Sequence, residues 1–504
     1  SLRNVLNAVR IAPVVAFSLI SVRIWSAGTP PPRGLARKAL NIFASASGYC
    51  SHKSWGRLLY SEMPTIRAKT LPGAASAAGD RVLRAADGSV ITDKHQVGFE
   101  NFKNRYIRTT KYVEEKKNNK ILFRGFGTQL DGGFKANFLR PLSNPANTSI
   151  NWHGDKLCAF YEASQPYRLD PATLETRGVE LYDGALNSMK NMSAHGKINC
   201  RTGHHINFGV NVAGLGIGGL KFGLDLYDID PHGRVASTWR IPLDKFPFVH
   251  DFGVTENYAV FLLSSITMGV SGPILGTAAV SDVTEYRMNM PVKGIIVDLR
   301  DRKVVRTFEL PPALIVHFGN SYEQGDEIVT DFIRSTDPGN FAAIKDVFTL
   351  ERIVGAPLCR YRINIKTGEM RHEEYFHAPP GEFPSWDMQK TCYRSRYTYY
   401  VAPVDNGTPY FYNSVVKLDT ESGAFKVGDY GRDRYTSEAL FVPRDGAKSE
   451  DDGYLLSFVY DATSHRTEIV ILDALEPETE IAAVKLSHHV PFGFHGHFTD
   501  RVFI

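Results

Sequence analysis

The sequence predicts an all-β fold, arranged as a β-propeller of seven blades. The first observation is a repeated phrase, in which a short apolar strand runs into a polar turn and then into a second strand. The second observation is that segments with helical periodicity are sparse after residue 125. Six copies of the phrase occur along the 504 residues, and they begin at Tyr167, Leu226, Gly294, Tyr361, Val415 and Val470.

Each copy of the phrase has the composition of a β-hairpin. β-branched and aromatic residues recur on both sides, and Asp, Asn, Gly or Pro stands where the chain must reverse, as in VVKLDTESGAFKVGDY. The copies follow one another at roughly 50 to 70 residues, which is near the period of blades built from four strands each. Six copies and one blade from the region before residue 151 make seven. A closed ring of blades leaves no exposed sheet edge.

The loops and the first part of the chain indicate how the domain is organised. Gly- and Pro-containing loops such as residues 214–219 are short, so no linker divides the propeller. Residues 61–504 are therefore predicted to form one seven-bladed domain, and residues 1–60 a separate basic segment. The clearest helical periodicity lies before residue 125, at residues 35–46 and 99–106.

The N-terminal segment contains no acidic residue before Glu62, whereas basic residues are interspersed with Ala, Ser, Val and Ile. Such a start is typical of an organellar transit peptide, for a plastid or a mitochondrion. The apolar run at residues 11–20 is too short to span a bilayer. The segment is interpreted as a targeting or membrane-contact arm, and the alternative is a helical arm packed on the domain.

Composition and charge exclude several classes of protein. With 43% hydrophobic and 22% charged residues, the chain has ample material for a buried core. The formal net charge of +4 is small and the basic residues are scattered, so nucleic acid is not an expected partner. The five cysteines form no C-x-x-C pair, which argues against a disulfide scaffold and a thiolate metal site and favours a reducing, intracellular compartment.

Histidine is the residue type that indicates a metal site. None of the 16 histidines lies in an H-E-x-x-H or Cys/His arrangement that would form a local site. The innermost strands of a propeller point at one axis, so ligands far apart in sequence can converge on one ion. The alternative for each histidine alone is a satisfied core residue. Four are flanked by small, apolar or aromatic residues: His195, His250, His317 and His495.

Several motifs follow one another in a match that covers the chain from about Arg124 to the end: NWHGDKLCAFYEASQPYRLDPATLET, SAHGKIN, FVHDFGVTENYAVFL, VHFGNSYE, GEFPSWD, SEALFVPR followed by SEDDGYLL, and VPFGFHG. In this order they resemble the motifs of the carotenoid cleavage oxygenase family, which includes stilbene-cleaving members. The resemblance implies a seven-bladed propeller with a cap of helices and loops over its iron-bearing face. It also implies Fe(2+) bound by four neutral histidines, which by position are His195, His250, His317 and His495.

The same resemblance implies further residues at the iron. Imidazole suits Fe(II), and four nitrogen ligands leave positions open for dioxygen. Carboxylates that accept the other imidazole N–H would fix the tautomer and offset the lack of charge on the ligands. The matching residues are Glu162, Glu382 and Glu438, although each alone would be a solvated acid. Thr148 matches a residue whose methyl group partly occludes one open position, although alone it would be a threonine on a strand face.

The implied reaction is cleavage of a conjugated C=C bond of a carotenoid or apocarotenoid by O2, which gives two carbonyl products. A polyene offers several similar bonds, so the protein must hold it with one bond near the metal. Stilbene-cleaving relatives carry a lysine just before the first glutamate, where this chain has Tyr161, and this difference favours a polyene. The basic N-terminal segment fits an enzyme that draws its substrate from a membrane surface. Apolar candidates for the substrate lining, each of which alone would be a core residue, are Phe208, Phe252, Val316, Phe318 and Phe494.

Three other functions fit parts of this pattern. Tyr161 can hydrogen-bond to a terminal oxygen, so a stilbene-cleaving dioxygenase stays open. The family also contains isomerohydrolases that act on retinyl esters with the same iron centre. An inactive propeller scaffold would keep the repeats, yet it would have no reason to keep four ligand motifs. Analysis of the reaction products separates these alternatives.

Overall fold

Strands dominate the structure, which is a computed structural model. It describes residues 18–26, 40–46, 66–67, 81–84, 90–93, 97–140, 142–216, 219–345, 353–406, 411–486, 489–499, 501 and 503. The strands are β1 (Ser18–Ser26), β2 (Leu40–Ala46), β3 (Ile66–Arg67), β4 (Arg81–Arg84), β5 (Val90–Asp93), β6 (Val97–Tyr106), β7 (Ser149–His153), β8 (Lys156–Phe160), β9 (Tyr167–Leu169), β10 (Thr176–Val179), β11 (Lys197–Ile198), β12 (His205–Gly216), β13 (Gly219–Ile229), β14 (Val235–Leu243), β15 (Gly253–Val254), β16 (Tyr258–Leu263), β17 (Ile266–Met268), β18 (Thr284–Tyr286), β19 (Val292–Asp298), β20 (Lys303–Leu310), β21 (Leu314–Gln324), β22 (Glu327–Ser335), β23 (Leu358–Asn364), β24 (Met370–Glu374), β25 (Glu382–Ser385), β26 (Tyr397–Ala402), β27 (Ser414–Asp419), β28 (Phe425–Asp429), β29 (Arg434–Pro443), β30 (Gly453–Asp461), β31 (Arg466–Asp473), β32 (Glu480–Lys485) and β33 (Gly493–Thr499).

Six antiparallel sheets follow one another along the chain as propeller blades. Their strand orders are β7 to β10, β11 to β14, β15-β16-β19-β20, β21 to β24, β25 to β28 and β29 to β32, and β5 and β4 extend the last of them. The first strands β15, β21, β25 and β29 lie side by side, and β33 and then β7 continue the row. This row is the inner wall of the propeller. The all-β propeller prediction is thereby confirmed.

The repeated phrase is the outer hairpin of each blade. In the fifth copy, the Asp419 side chain accepts the main-chain N–H of Glu421 at 3.0 Å, as a turn aspartate does. The prediction of six hairpins is confirmed in every copy, and the pairs are β9 with β10, β13 with β14, β19 with β20, β23 with β24, β27 with β28, and β31 with β32.

A sheet of mixed origin lies next to β29 and β7. Its order is β3-β6-β1-β2-β33, so the strand with His495 pairs with a strand from the start of the chain. The predicted number of seven blades is wrong, because the described residues form six blades of consecutive strands, of which five have four strands and the last is extended to six. The reason is that β33 does not begin a seventh run of consecutive strands but pairs with β2, a strand from the start of the chain.

Residues 40–46 and 97–106 form the strands β2 and β6, although their periodicity predicts helices. The helical prediction is wrong for these residues because β1 lies between the two segments and pairs with both, and sheet pairing overrides local preference. Few helices contribute to the predicted cap. Those of the described chain are α1 (Thr110–Asn118), α2 (Gly133–Asn137), α3 (Ser271–Leu275) and α4 (Pro338–Lys345), with 3-10 turns at Ser281–Val283 and Met388–Lys390.

The N-terminal segment contributes β1 and β2 to the mixed sheet. Its separation from the domain at residue 61 and its role in targeting or membrane contact stay predictions, and the rest of residues 1–60 lies outside the described residues. Among the helices of the described chain, none is long and apolar enough to cross a membrane.

The apolar core lies between neighbouring blades. Between the second and third blades, the rings of Phe208, Phe252 and Phe261 pack at centroid distances of 4.9 to 5.3 Å. Between the third and fourth blades, Phe318 belongs to one buried apolar cluster with Val260 and Ile296 of the third blade. Because this packing fixes the inner strands relative to one another, it also fixes the loops and strand segments that carry the histidines.

Candidate metal centre

Four imidazoles converge at the inner wall of the propeller. His195 and His250 lie in the loops just before β11 and β15, whereas His317 lies in β21 and His495 in β33. Each ring is therefore held in or next to the first strand of a different blade, or in β33. The four ligands predicted from the sequence come together as one group that is suited to hold a metal ion.

The Nε2 atoms of the four rings face one another. The Nε2 of His250 is 2.8 Å from that of His195 and 3.3 Å from that of His317, and the Nε2 atoms of His317 and His495 are 3.0 Å apart. The candidate ligand atoms all lie within 4.8 Å of one another. Imidazole nitrogens at about 2.0–2.1 Å from one ion are about 3 Å apart when they are adjacent. The observed separations therefore fit a single metal ion.

Three of the four rings each contact a glutamate through Nδ1, their second ring nitrogen. The Nδ1 of His250 lies 2.6 Å from Glu162 Oε1, and the Nδ1 of His317 lies 2.5 Å from Glu382 Oε2. The third contact joins the Nδ1 of His495 to Glu438 Oε1 at 2.9 Å. The structure therefore brings each predicted glutamate to a different predicted ligand.

The glutamates determine which ring nitrogen carries the proton. An ionised carboxylate only accepts hydrogen bonds, so Nδ1 carries the proton and Nε2 of the neutral ring has a free lone pair. Between His250 and His317, and between His317 and His495, two such lone pairs would face each other at 3.0 to 3.3 Å. Neither nitrogen can donate to the other. A cation between them removes this repulsion, so the donor set fits a metal ion.

The pKa shifts follow from burial and from the neighbouring charges. Burial lowers the pKa of His195 and of His317 well below the usual range, and the neighbouring histidine charges act in the same direction. Burial also opposes protonation of His250, but the charge of Glu162 and its hydrogen bond prevail and raise the pKa. Burial raises the pKa of Glu382 to about 7. A cation at the centre would supply the positive charge that this carboxylate lacks.

A glycine beside the first ligand allows close packing. A Cβ atom on Gly196 would lie 1.9 Å from the Nε2 of His205, so a larger residue there would displace that ring or the loop. His205, His204 and His497 lie outside the group of four ligands. The Nδ1 of His204, for example, contacts Asp228 at 2.6 Å.

Comparisons with known proteins agree with this geometry. The family model described as retinal pigment epithelial membrane protein matches residues 87–500. The chain is 30% identical over 437 residues to "Apocarotenoid-15,15'-oxygenase" of Synechocystis sp., and the match covers 83% of this chain and 87% of that protein. The chain belongs to the carotenoid cleavage oxygenase family. The family prediction made from the motifs is confirmed.

One further relative of this carotenoid cleavage oxygenase and one solved structure extend the comparison. "Lignostilbene-alpha,beta-dioxygenase isozyme III" of Sphingomonas paucimobilis is 27% identical over 445 residues, with 82% of this chain and 86% of that protein covered. The crystal structure of cobalt-substituted Synechocystis ACO is 25% identical, with a TM-score of 0.76 and 99% of both chains covered. The fold is thus shared over almost the whole length.

Two other predicted residues lie beside the centre of this family member. Thr148 is buried, and its main-chain carbonyl accepts the N–H of His495 at 3.2 Å. Tyr161 is partly buried and directly precedes Glu162. The roles predicted for both side chains, in occluding a metal position and in substrate choice, stay predictions.

The predicted substrate-lining residues lie in two kinds of environment. Phe208, Phe252 and Phe318 are packed in the core between blades, with 0 to 2% of each side chain exposed. Val316 is partly buried against a smaller apolar cluster, and Phe494 lines a small cavity with Glu438. Contact of these five residues with a substrate stays a prediction.

Sequence reasoning missed two residues at the centre. The ring of Phe383 lies 5.0 Å from that of His317 and 5.3 Å from that of His495. The carboxylate of Asp251 lies 3.8 Å from the Nδ1 of His195, where no glutamate was predicted. Both follow a predicted site residue directly, in the motifs GEFPSWD and FVHDFG, and this adjacency was the signal that could have indicated them.

The glutamate contacts generate the first test. The variant Glu382→Gln keeps the size of the side chain but loses the charge that favours the Nδ1–H tautomer of His317. Its affinity for cobalt(II), measured by calorimetric titration of the metal-free protein, should fall by about 10 to 100-fold. Glu374→Gln is the matched control, because Glu374 is similarly buried but is paired with Arg334. Equal affinities of Glu382→Gln and the unmodified protein would contradict the role of Glu382.

Proposed function

We propose that this protein is an Fe(II)-dependent dioxygenase that cleaves a conjugated C=C bond of a carotenoid or apocarotenoid with O2 and gives two carbonyl products. The observation that carries the proposal is the four-histidine centre with its three glutamates, on a chain of this family. A relative that matches most of the chain is an apocarotenoid oxygenase by name. A related oxygenase takes cobalt in substituted form, which supports a divalent metal at this centre.

The residues at the centre would hold iron without neutralising its positive charge. His195, His250, His317 and His495 would supply four neutral nitrogens, and imidazole suits Fe(II). Bound there, Fe(II) would supply the dioxygen chemistry that cleavage of a double bond needs. The glutamates would keep the protons on the Nδ1 atoms and so keep the Nε2 atoms available. Thr148, whose carbonyl binds the His495 N–H, would present its methyl group to one open position.

The surroundings of the centre support an apolar substrate. Phe383 covers the rings of His317 and His495 on one side, and its own ring packs edge-on against Tyr412. Such a wall favours a hydrocarbon chain over water near the metal. The predicted contact from Phe494, which lines a small cavity with Glu438, would extend this wall and help to hold the substrate with one bond near the metal.

The function is tested by product analysis. The purified protein, loaded with Fe(II), is incubated under O2 with a panel of carotenoids, apocarotenals and hydroxystilbenes, and the products are identified by mass spectrometry. Two aldehyde or ketone fragments from a polyene are expected. An alcohol of unchanged carbon number would indicate an isomerohydrolase instead, and a lack of any product in the Fe(II)-loaded protein would indicate an inactive scaffold.

The metal requirement is tested in the same assay. His250→Ala and His317→Ala remove ligands from the centre, so most of the bound iron and nearly all cleavage should be lost, with iron measured by elemental analysis. His204→Ala is the control, because that ring pairs with Asp228 outside the group of ligands. Full iron content in either ligand variant would refute the centre.

Substrate choice is tested at Tyr161. A lysine at this position places a cation beside a substrate phenol and favours the electron-rich phenolate, whereas tyrosine offers a hydrogen bond, which a polyene does not need. The unmodified protein should therefore turn over a polyene faster than a 4-hydroxystilbene, and Tyr161→Lys should shift the ratio of the two kcat/KM values toward the stilbene. Efficient stilbene cleavage by the unmodified protein, with no polyene cleavage, would overturn the substrate assignment.

We also propose that the protein meets its substrate at a membrane surface. An apolar patch is formed where α2 and α3 meet, and Lys135 is adjacent to it in the sequence. The two helices are in contact at their ends, because the Gln129 side chain donates to the carbonyl of Gly276 and a Cβ atom on Gly276 would touch Asn137. Exposed apolar side chains beside basic residues suit a lipid surface. The apolar patch consists of Phe134, Phe138, Leu139, Ile274 and Leu275, which are 44 to 62% exposed.

The patch is tested by cosedimentation with liposomes. Burial of a phenylalanine or leucine side chain contributes about 1.5–3 kcal/mol, so Phe134→Ser together with Leu139→Ser should weaken binding by about tenfold or more. Phe376→Ser is the control, because Phe376 is 70% exposed outside the patch. If the double variant and the control bind liposomes equally well, the patch is not the contact surface.

A further inference from the structure

A single buried carboxylate follows the second ligand in the sequence. Asp251 is only 4% exposed. Its Oδ1 accepts hydrogen bonds from the Lys197 ammonium and from the main-chain N–H of Phe252, both at 2.7 Å. Its Oδ2 accepts the main-chain N–H of Phe318 at 2.8 Å. A buried carboxylate is costly unless it is paired in this way, so its position is well defined.

The partners of Asp251 belong to the segments of three different ligands. Lys197 stands two residues after His195, and Phe318 directly follows His317. Asp251 itself directly follows His250. These segments come from three successive blades, whose first strands are β11, β15 and β21. One side chain therefore links the segments that carry three of the four imidazoles, two of them through main-chain N–H groups and the third through the Lys197 side chain.

The contacts of Asp251 complement those of the glutamates. Each glutamate holds the ring of one ligand through Nδ1, whereas the Nδ1 of His195 faces Asp251 Oδ2 at 3.8 Å, which is too long for a hydrogen bond. The position of His195 is instead fixed through its main chain, because its N–H donates to the Ser193 hydroxyl at 2.9 Å and Lys197 binds Asp251 at 2.7 Å. Main-chain anchoring thus replaces ring anchoring for this ligand.

We propose that Asp251 is a positioning residue of the metal centre, which aligns the segments of His195, His250 and His317 so that their Nε2 atoms meet at one point. This inference rests on the proposed function, because it assumes that the four histidines bind a metal. Asp251 acts by position rather than by attraction of the cation, since the charge of Lys197 balances its own. Its effect reaches the metal through the ligands.

The test compares two substitutions in the full-length, metal-free protein by titration with cobalt(II), followed by visible absorption. Asp251→Asn keeps the size, but its amide group has one accepting oxygen in place of two, so at least one partner loses its acceptor. Asp251→Glu keeps the charge but moves the oxygens by one methylene. Both should lower the cobalt(II) affinity by about 10 to 100-fold and change the cobalt absorption bands, which report the arrangement of the ligands.

A matched control separates positioning from general stability. Asp225 is 2% exposed and pairs with Arg240 and Asn211 in the second blade, without a partner next to any ligand. Asp225→Asn should lower the thermal unfolding temperature and leave the cobalt(II) affinity and spectrum unchanged. If Asp251→Asn does not fold, as judged by circular dichroism, Asp251→Glu carries the comparison.

The outcomes are distinguishable. Unchanged affinity and spectrum in both Asp251 variants would overturn the inference while leaving the metal centre in place. Unchanged affinity in Asp251→Glu alone would also overturn it, because the charge and not the position would then be what matters. An unmodified protein that binds no cobalt(II) would overturn the proposed function as well.

Discussion

The hydrogen bonds from three imidazoles to three glutamates are the interactions on which the rest of the site depends. Each places the proton on Nδ1 and directs the lone pair of Nε2 to the inner side of the propeller. Without them, neighbouring rings could pair with one another as donor and acceptor, and the centre would be a cluster of satisfied core histidines. The glutamates thus convert a structural arrangement into a donor set that fits a metal ion. The blades supply the rigidity that keeps Nε2 atoms about 3 Å apart.

Local features of the fold were predictable, and the closure of the sheet that contains β33 was not. The six outer hairpins were found because their turn residues and strand residues lie within a few positions of one another, as at Asp419 and Glu421. The pairing of β2 with β33 joins residues more than 400 positions apart, as in Asn41 with Thr499. No local pattern reports such a pair. For the same reason the periodicity of β2 and β6 was misread as helical, since β1, which pairs with both, is what makes them strands.

Like the elements of the fold, the residues of the site include some that the sequence predicts and some that it does not. The four histidines and three glutamates could be predicted because their motifs resemble those of a family, whereas spacing alone would have left each one a core residue or a surface acid. The substrate lining stays a prediction, because a core position and a cavity wall both select apolar side chains and the sequence alone does not distinguish them. Asp251 and Phe383 were overlooked although they adjoin His250 and Glu382. Their importance lies in the residues they contact, and contacts between blades cannot be read from the order of residues along the chain.

The position of His495 in β33 has a consequence for biosynthesis. A ribosome releases the chain from its N-terminus, so the segments that carry His195, His250 and His317 emerge long before the strand that carries the fourth ligand. Until then β2 can pair with β1 but lacks its second partner in the mixed sheet, and only three of the four imidazoles of the group are available. A nascent or C-terminally truncated chain therefore cannot assemble the complete group of four histidines. Pairing of β33 with β2 thus makes completion of the polypeptide a condition for assembly of the four-histidine group.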